Sequence, residues 1–304
     1  MSLPERLVVI GCGLIGSSAA ASARAAGVER IIGVDADAAA LETGRALGLF
    51  DAPASDDAPR AGDLVLVAVP TLAIPAVLEV LVGADGTFAG GAVVTDAGSV
   101  KESVLVGARS LPGGLPARFV PGHPIAGSER SGVTAADPTL FRGRRVILTP
   151  VEGTDRRSVA LVERFWEALG ARVSEMDVGE HDRILAMTSH LPHLLAFALV
   201  DTLGRLPEHE DVFALAAGGF RDFTRVASSD PVMWSDIFVA NAEPTLAILD
   251  GFRADLDTLR ALLARRDRTA LHELFTRAKA LRDTHVVPAT LAADAAAEPG
   301  ETGR

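Results

Sequence analysis

The stretch LVVIGCGLIG, residues 7–16, joins a short apolar run to a complete Gly-x-Gly-x-x-Gly pattern. Gly11 suits a tight turn after a strand, Gly13 lets the backbone approach a pyrophosphate, and Gly16 lets a helix pack on the strand. We expect that helix over residues 17–26, with its N-terminus facing the anion. The stretch therefore predicts a dinucleotide-binding turn, with cofactor-binding residues Gly11, Gly13, Leu14, Ile15 and Gly16.

A carboxylate follows the second apolar run. Residues 31–34 end at Asp35, at the spacing where an acidic side chain hydrogen-bonds the adenosine ribose and repels a 2′-phosphate, which favours NAD over NADP. Val69 and Pro70 leave the third expected strand, at the end of the sheet where this architecture binds ligands. Ser99 leaves the fourth strand, so it is a candidate for the nicotinamide end unless it only caps the following helix.

Further along the chain, β-rich runs alternate with alanine-rich helical segments. Strands that are apolar on both faces and separated by helices indicate a parallel, doubly covered sheet. The expected strands are residues 7–10, 31–34, 64–68, 92–95, 118–120 and 145–149, and a helix at 156–169 and a strand at 172–176 are expected to extend the sheet. Strand-like runs then end, so we expect an α/β, Rossmann-like doubly wound domain over residues 1–177, an all-α domain over 178–290 and a disordered tail over 291–304.

The composition excludes several classes of protein. The net charge of −11 opposes nucleic-acid binding, and an anionic substrate would need a local basic pocket. The single cysteine, Cys12, excludes an intramolecular disulfide and fits a reducing cytoplasm. The first residues lack the pattern of a signal peptide, and prolines interrupt the apolar residues 64–82, so we expect a cytoplasmic protein without a membrane span.

A histidine lies between glycine and proline in the run Gly122-His123-Pro124. These neighbours predict a loop beyond the carboxyl end of a strand. A neutral imidazole there can accept a proton near pH 7, although a histidine in such a loop can also serve structure alone.

Several separated motifs resemble the prephenate and arogenate dehydrogenase family. They are GHPIAGSERSG at residues 122–132, TDAGSVK at 95–101, HDRILAMTSHLPH at 181–193 and GGFRDFTRVASSDPVMW at 218–234, and the resemblance spans about residues 7 to 285. It implies oxidative decarboxylation of prephenate with NAD, giving 4-hydroxyphenylpyruvate, carbon dioxide and NADH in tyrosine biosynthesis. Arogenate, or both substrates, stays open as an alternative.

The resemblance also implies roles for individual residues. His123 is the base or hydrogen-bond partner of the substrate hydroxyl, assisted by Ser99, and Arg225 grips a carboxylate. Without the resemblance, Arg225 would be expected to pair with nearby aspartates. His193 and His190 lie three apart on a helix that Pro192 should kink. The remaining expected substrate-binding residues are Ser128, Gly218 and Trp234.

The nearest alternative to this interpretation is another dehydrogenase with a Rossmann domain and a helical domain, acting on a β-hydroxyacid or a cyclic imine. The paired histidines could bind zinc, but no further ligands complete a set, so no metal is expected. The chain could instead be a non-catalytic NAD sensor, which would not need a substrate pocket. In the helix expected over residues 243–265, Leu249, Phe252, Leu256, Leu259 and Leu263 form an apolar seam, which fits internal packing or a homodimer equally.

Overall fold

The first half of the chain forms a parallel sheet. The computed structural model describes residues 3–51, 58–83, 86–128 and 130–287. Its main sheet has five parallel strands in the order β2-β1-β3-β4-β5, which confirms the Rossmann-like fold class. The strands are β1 (Arg6–Ile10), β2 (Arg30–Val34), β3 (Asp63–Val67), β4 (Val93–Asp96) and β5 (Phe119–Val120).

Helices cover both faces of this sheet. Alternate residues of each strand point to opposite faces, so apolar runs such as β3 supply two separate hydrophobic clusters. Residues 64–82 form β3, a short 3₁₀ turn and a helix, as expected from the prolines. The helices of this half are α1 (Leu14–Ala25), α2 (Ala38–Ala46), α3 (Ile74–Leu81), α4 (Glu102–Arg109) and α5 (Arg156–Ala168).

A second, three-stranded sheet corrects the expected topology. Its strands are β6 (Gly122–Ile125), β7 (Arg145–Leu148) and β8 (Arg172–Glu175), with β6 antiparallel to β7 and β7 parallel to β8. The expectation that residues 145–149 and 172–176 extend the main sheet was therefore wrong. The loop expected around His123 was also wrong, because His123 lies in β6. Pro121 has no N–H for a ladder and separates β5 from β6, so the chain leaves the main sheet there.

The second half is helical, as expected. Within the described residues it contains seven α-helices joined by short turns. They are α6 (Val178–Leu185), α7 (Leu191–Gly204), α8 (His209–Ala214), α9 (Gly218–Thr224), α10 (Pro231–Ala240), α11 (Ala242–Ala264) and α12 (Arg268–Leu281). The tail expected over residues 291–304 lies outside the described residues.

A π-helical turn joins α6 to α7. It spans Ala186–His190, and Pro192, which has no backbone N–H, lies at the second position of α7 directly after it. The continuous stretch Val178–Gly204 is long and apolar enough to cross a membrane by length and composition alone. The core helix of a globular protein passes the same test, and this stretch buries polar side chains against the rest of the chain.

Candidate active site

The glycine turn after β1 is shaped by steric contacts. Gly11 has a φ of 99°, and a Cβ there would lie 2.5 Å from the Ala68 carbonyl oxygen. A Cβ on Gly16 would lie 2.0 Å from the Gly11 oxygen, whereas one on Gly13 would meet nothing within 4 Å. Since α1 begins at Leu14, earlier than expected, the open space at Gly13 adjoins a helix N-terminus. The open space at Gly13 and the helix N-terminus beside it fit a pyrophosphate at this turn.

Asp35 ties the end of β2 to this turn. One carboxylate oxygen accepts a hydrogen bond from Cys12 N at 2.6 Å and the other from Asp37 N at 2.8 Å. Each oxygen keeps a lone pair for a ribose hydroxyl. Cys12 is buried, and burial followed by the charge of Asp35 raises the pKa of its thiol to about 12. The thiol is therefore a small apolar filler of the turn and not a nucleophile.

Ser99 is placed beside the exit of the third strand. The half-buried Val69 and the exposed Pro70 follow β3 and lead into a 3₁₀ turn, whose Thr71 Oγ1 accepts a hydrogen bond from Ser99 N at 3.3 Å. Ser99 does not cap α4. The amides of Lys101 and Glu102 donate to the Asp182 carboxylate instead, each at 2.9 Å. The hydroxyl of Ser99 is therefore not engaged as a helix cap.

His123 is buried at the centre of a polar cluster. Its Nδ1 lies 2.9 Å from Nε2 of His181, a contact that spans 58 positions of the sequence. Burial, and then the charges of His181, Lys101 and His190, hold the pKa of His123 well below its usual range. His123 is therefore neutral near pH 7 and has a ring nitrogen that can accept a proton.

A buried ion pair fixes the start of β6. Lys101 Nζ contacts the Asp96 carboxylate and donates to the Gly122 carbonyl oxygen at 2.7 Å. Gly122 N in turn donates to Asp96 Oδ1 at 3.2 Å. Burial lowers the pKa of Lys101, while the neighbouring Asp96 opposes that shift. These bonds hold both the amide nitrogen and the carbonyl oxygen of Gly122, the residue next to His123.

The π turn and the first turn of α7 place one histidine each against α10. His190 is buried, and burial lowers its pKa to about 4, so its Nδ1 accepts a hydrogen bond from Asn241 Nδ2 at 3.0 Å. His193 donates from Nδ1 to the Ser189 carbonyl oxygen at 2.8 Å and stacks on Trp234, with ring centroids 3.7 Å apart. Among the described residues, the buried Trp234 Nε1–H has no acceptor. An orphaned donor beside a histidine fits a ligand oxygen.

The other expected substrate residues lie at more exposed positions. Arg225 opens a 3₁₀ turn and is exposed, yet it is near enough to His193 to lower that residue's pKa, after the larger effect of burial. Gly218 opens α9 and is exposed. Ser128 follows β6, is exposed and accepts from Arg130 N at 3.2 Å. Neither Gly218 nor Ser128 is hydrogen-bonded to the histidines in the described part of the chain.

Residues that the sequence reasoning missed complete the cluster. His181, Asp182 and Asn241 had no predicted role, although the first two begin the motif HDRILAMTSHLPH at residues 181–193. His181 Nδ1 lies 2.7 Å from Asp182 Oδ1, and Asn241 Nδ2 donates to the Asp182 carbonyl oxygen at 2.9 Å. Spacing alone gives no sign of these contacts, because their partners lie on other elements. Within the described ranges, no group of three or more His, Cys, Asp or Glu side chains could hold a metal ion.

Comparison with known proteins finds similarity along both halves of the chain. The family described as "Prephenate dehydrogenase, nucleotide-binding domain" matches residues 19–175, and "Prephenate dehydrogenase, dimerization domain" matches residues 177–277. A cyclohexadienyl dehydrogenase of Zymomonas mobilis is 37% identical over 93% of this chain and 96% of that protein. A prephenate dehydrogenase of Lactococcus lactis is 34% identical over 91% of this chain and 77% of that protein.

A solved structure is similar to the whole arrangement. The crystal structure of prephenate dehydrogenase from Aquifex aeolicus, in complex with hydroxyphenyl propionate and NAD⁺, has a TM-score of 0.84 and 36% sequence identity. The similarity covers 93% of this chain and 99% of that one. It therefore includes both the parallel sheet and the helical half.

Proposed function

This chain belongs to the prephenate dehydrogenase family, and we propose that it converts prephenate to 4-hydroxyphenylpyruvate and carbon dioxide with NAD. It is an NAD-dependent oxidoreductase. The observation that carries the proposal is a buried, neutral His123. Such a group can take a proton from a hydroxyl whose carbon loses hydride.

The chemistry divides between the cofactor and the protein. NAD, when bound, accepts the hydride from the ring carbon that bears the hydroxyl. His123 draws the hydroxyl proton toward its free nitrogen, and Ser99 assists at the same oxygen. Carbon dioxide then leaves the ring, the bonding electrons make the ring aromatic, and the proton returns to the oxygen. The step balances without a net proton, since one hydride and one carbon dioxide leave the substrate.

The substrate carboxylates need positive or donor groups in an acidic protein. We propose that Arg225 grips one carboxylate with parallel hydrogen bonds, close to His193. The orphaned Nε1–H of Trp234 supports a second contact beside the same histidine. His190 shapes this part of the pocket, and Ser128 and Gly218 contribute at its exposed margin. These groups give the local binding of anions that the net charge of −11 otherwise opposes.

Arogenate is the alternative substrate. It carries an amino group where prephenate has a keto oxygen, so discrimination between the two substrates depends on the residues that contact the substrate side chain. The similarity to a cyclohexadienyl dehydrogenase favours keeping both substrates in the test. A non-catalytic NAD sensor is less well supported, because the buried cluster around His123 would have no use in it.

The test is formation of NADH by the purified protein. NAD is mixed with prephenate or with arogenate, and both are repeated with NADP. We expect NADH from prephenate, and a loss of about a thousandfold in kcat for His123→Asn. His209→Asn is the matched control, because His209 lies on α8 and bonds the Leu206 carbonyl oxygen. Absence of NADH from either substrate would contradict the proposed function.

The helical half is also proposed to form a homodimer. In α11 the seam residues Leu256 and Leu263 are 46% and 63% exposed, and Phe275 of α12 is 59% exposed. Exposed apolar side chains of this size favour a partner surface, and the matched family description names a dimerization domain. Light scattering should give about twice the chain mass of 31.6 kDa. A mass of one chain would contradict the proposal.

The remaining proposals concern organisation and location. We propose a nucleotide-binding domain over residues 1–177 and a substrate and dimerisation domain over 178–290, supported by family matches that meet between residues 175 and 177. The partners are then a small dianionic substrate and a second copy of the chain, without nucleic acid or membrane. The single buried cysteine supports a cytoplasmic location.

A further inference from the structure

Three buried side chains form a continuous hydrogen-bonded series that ends at His123. Asp182 Oδ1 lies 2.7 Å from His181 Nδ1, and His181 Nε2 lies 2.9 Å from His123 Nδ1. His181 is 0% exposed, Asp182 2% and His123 9%, so water does not compete for these bonds. The series joins β6 to the middle of α6.

The carboxylate at the far end of the series is ionised. Burial raises the pKa of Asp182, but the hydrogen bonds from His181 and from the Lys101 and Glu102 amides outweigh it, so the net pKa is lowered. Ionised Asp182 can only accept hydrogen bonds. The proton between Asp182 and His181 therefore lies on His181 Nδ1.

This proton fixes the others along the series. A neutral imidazole carries a single N–H, so a neutral His181 with Nδ1 protonated presents a lone pair at Nε2. The 2.9 Å contact then needs a proton on His123 Nδ1. The opposite arrangement would set the lone pair of His181 Nδ1 against a carboxylate at 2.7 Å. With both imidazoles neutral, one arrangement alone gives every contact a donor and an acceptor.

We propose that His181 and Asp182 are positioning residues, which hold His123 in its Nδ1–H tautomer so that Nε2 is the atom that accepts the substrate hydroxyl proton. This inference rests on the proposed function. During the step the proton moves from the hydroxyl oxygen to Nε2 of His123 and later returns. The resulting His123 imidazolium donates from Nδ1 to His181 Nε2, and His181 Nδ1–H still donates to Asp182. The positive charge on His123 is therefore stabilised by the buried negative charge of Asp182.

Asp182 also links this series to the loop that carries Ser99. Its two oxygens accept from the Lys101 and Glu102 amides at the start of α4. The same carboxylate thus sets the tautomer of His123 and anchors the segment just after Ser99. Asp182 therefore helps to position both groups proposed at the substrate hydroxyl, His123 and Ser99.

Three variants separate this role from a general effect on folding. His181→Phe removes the acceptor for His123 Nδ1–H, and His181→Gln keeps an amide oxygen near the same place. Asp182→Asn offers His181 an N–H, which favours the reversed tautomers. We expect kcat near pH 8 to fall about a hundredfold in His181→Phe and Asp182→Asn, and about tenfold in His181→Gln. The KM for NAD should stay within about twofold in all three, because the glycine turn is untouched.

A spectroscopic measurement tests the wild-type protein directly. Nitrogen NMR distinguishes the two neutral tautomers of a histidine, and the His123→Asn spectrum assigns the signal. We expect Nδ1–H at His123 in the wild type and Nε2–H in Asp182→Asn. His209→Gln is the control, with unchanged kcat and an unchanged His123 signal.

The outcomes distinguish this inference from the proposed function. If the wild type forms no NADH, the proposed function fails. If it forms NADH but shows Nε2–H at His123, or if a folded His181→Phe keeps kcat within about threefold of wild type, the positioning role fails. If His181→Phe does not fold, the tautomer of His123 in the wild type and the kcat of His181→Gln still test the positioning role.

Discussion

The glycine turn and the histidine cluster are the two parts of the proposed site, and they are built in different ways. The turn uses the backbone of consecutive residues between β1 and α1, with Gly11 and Gly16 in closest contact with other backbone atoms. The cluster uses side chains from β6, α6 and the π turn, and its central contact joins His123 to His181 across 58 positions. The shape of the turn requires that Gly11 and Gly16 have no Cβ atom, whereas the cluster requires that each hydrogen bond has its proton on the correct nitrogen.

This difference determines how each region fails. A steric site loses function when an atom is added, because neighbouring backbone cannot move away cheaply. A hydrogen-bonded site fails when a donor and an acceptor no longer alternate, since a buried group without a partner costs about 1–3 kcal/mol. We therefore expect the stability and cofactor binding of the turn to be most sensitive to added side-chain atoms, and the stability of the cluster to be most sensitive to pH.

The largest effect is expected from Gly16→Ala. Its Cβ would lie 2.0 Å from the Gly11 oxygen, so the turn must distort. We expect at least about 3 kcal/mol of lost stability, at the upper end for overpacking, together with loss of measurable NAD binding. Urea unfolding and a fluorescence titration with NADH measure the two effects.

Gly13→Ala is the matched comparison. The added methyl meets no protein atom within 4 Å, and Gly13 has a φ of −75°, which alanine adopts freely. Stability should change by less than about 1 kcal/mol, while NAD affinity falls because the methyl occupies the space for the pyrophosphate. Equal losses of stability in the two variants would show that the turn is not sterically closed as described.

The second effect concerns the cluster and pH. Burial lowers the pKa of His190 to about 4, from an unfolded value near 6.5. The unfolded chain therefore binds more protons than the folded one between these values, so stability falls as pH drops through this window. The share of His190 alone is about 2 kcal/mol between pH 8 and pH 5. Protonated Nδ1 would also face the Asn241 N–H donor at 3.0 Å.

Urea unfolding at both pH values measures this dependence. His190→Gln should reduce the stability lost on acidification by about the same 2 kcal/mol. His123 acts in the same direction, since its pKa is also lowered, so part of the loss remains in the variant. If the stability of His190→Gln depended on pH as strongly as that of the wild type, His190 would not be a buried neutral group in the folded protein.

The two regions also differed in how far the sequence predicted them. The glycine turn could be predicted because its pattern lies in residues 11–16 and in the carboxylate after β2, which are close in sequence. The cluster was predicted only in part. The resemblance supplied His123, His190 and His193, but not His181 or Asp182, because a histidine followed by an aspartate does not indicate which distant ring it contacts.

The fold shows the same limit. The alternation of strands and helices predicted the parallel sheet and the helical half. It did not predict that residues 122–125 pair with β7 in a second sheet, because Gly122 and Pro124 have low strand propensity and the pairing partner lies about twenty residues away. Tertiary pairing outweighed local preference there. Pairing with β7 therefore fixes the backbone of His123 more firmly than a loop would.

The smallest effect is expected at Asp35, where the turn does contain a charge. Asp35→Asn keeps an oxygen for the Cys12 amide, which donates at 2.6 Å, but removes the negative charge that would repel a 2′-phosphate. We expect NAD affinity to fall about fivefold and the preference for NAD over NADP to fall about tenfold, equivalent to about 1.4 kcal/mol.

Asp37→Asn is the control for this last change. It removes the same charge two residues away, and asparagine still caps α2 by accepting from the Ala39 amide. Steady-state kinetics with both cofactors compare the two variants. If Asp37→Asn shifts the preference as much as Asp35→Asn, the discrimination comes from the general field of the acidic surface. A shift confined to Asp35→Asn means that contact with the ribose carries it, so that even in the steric region one side chain acts by its charge.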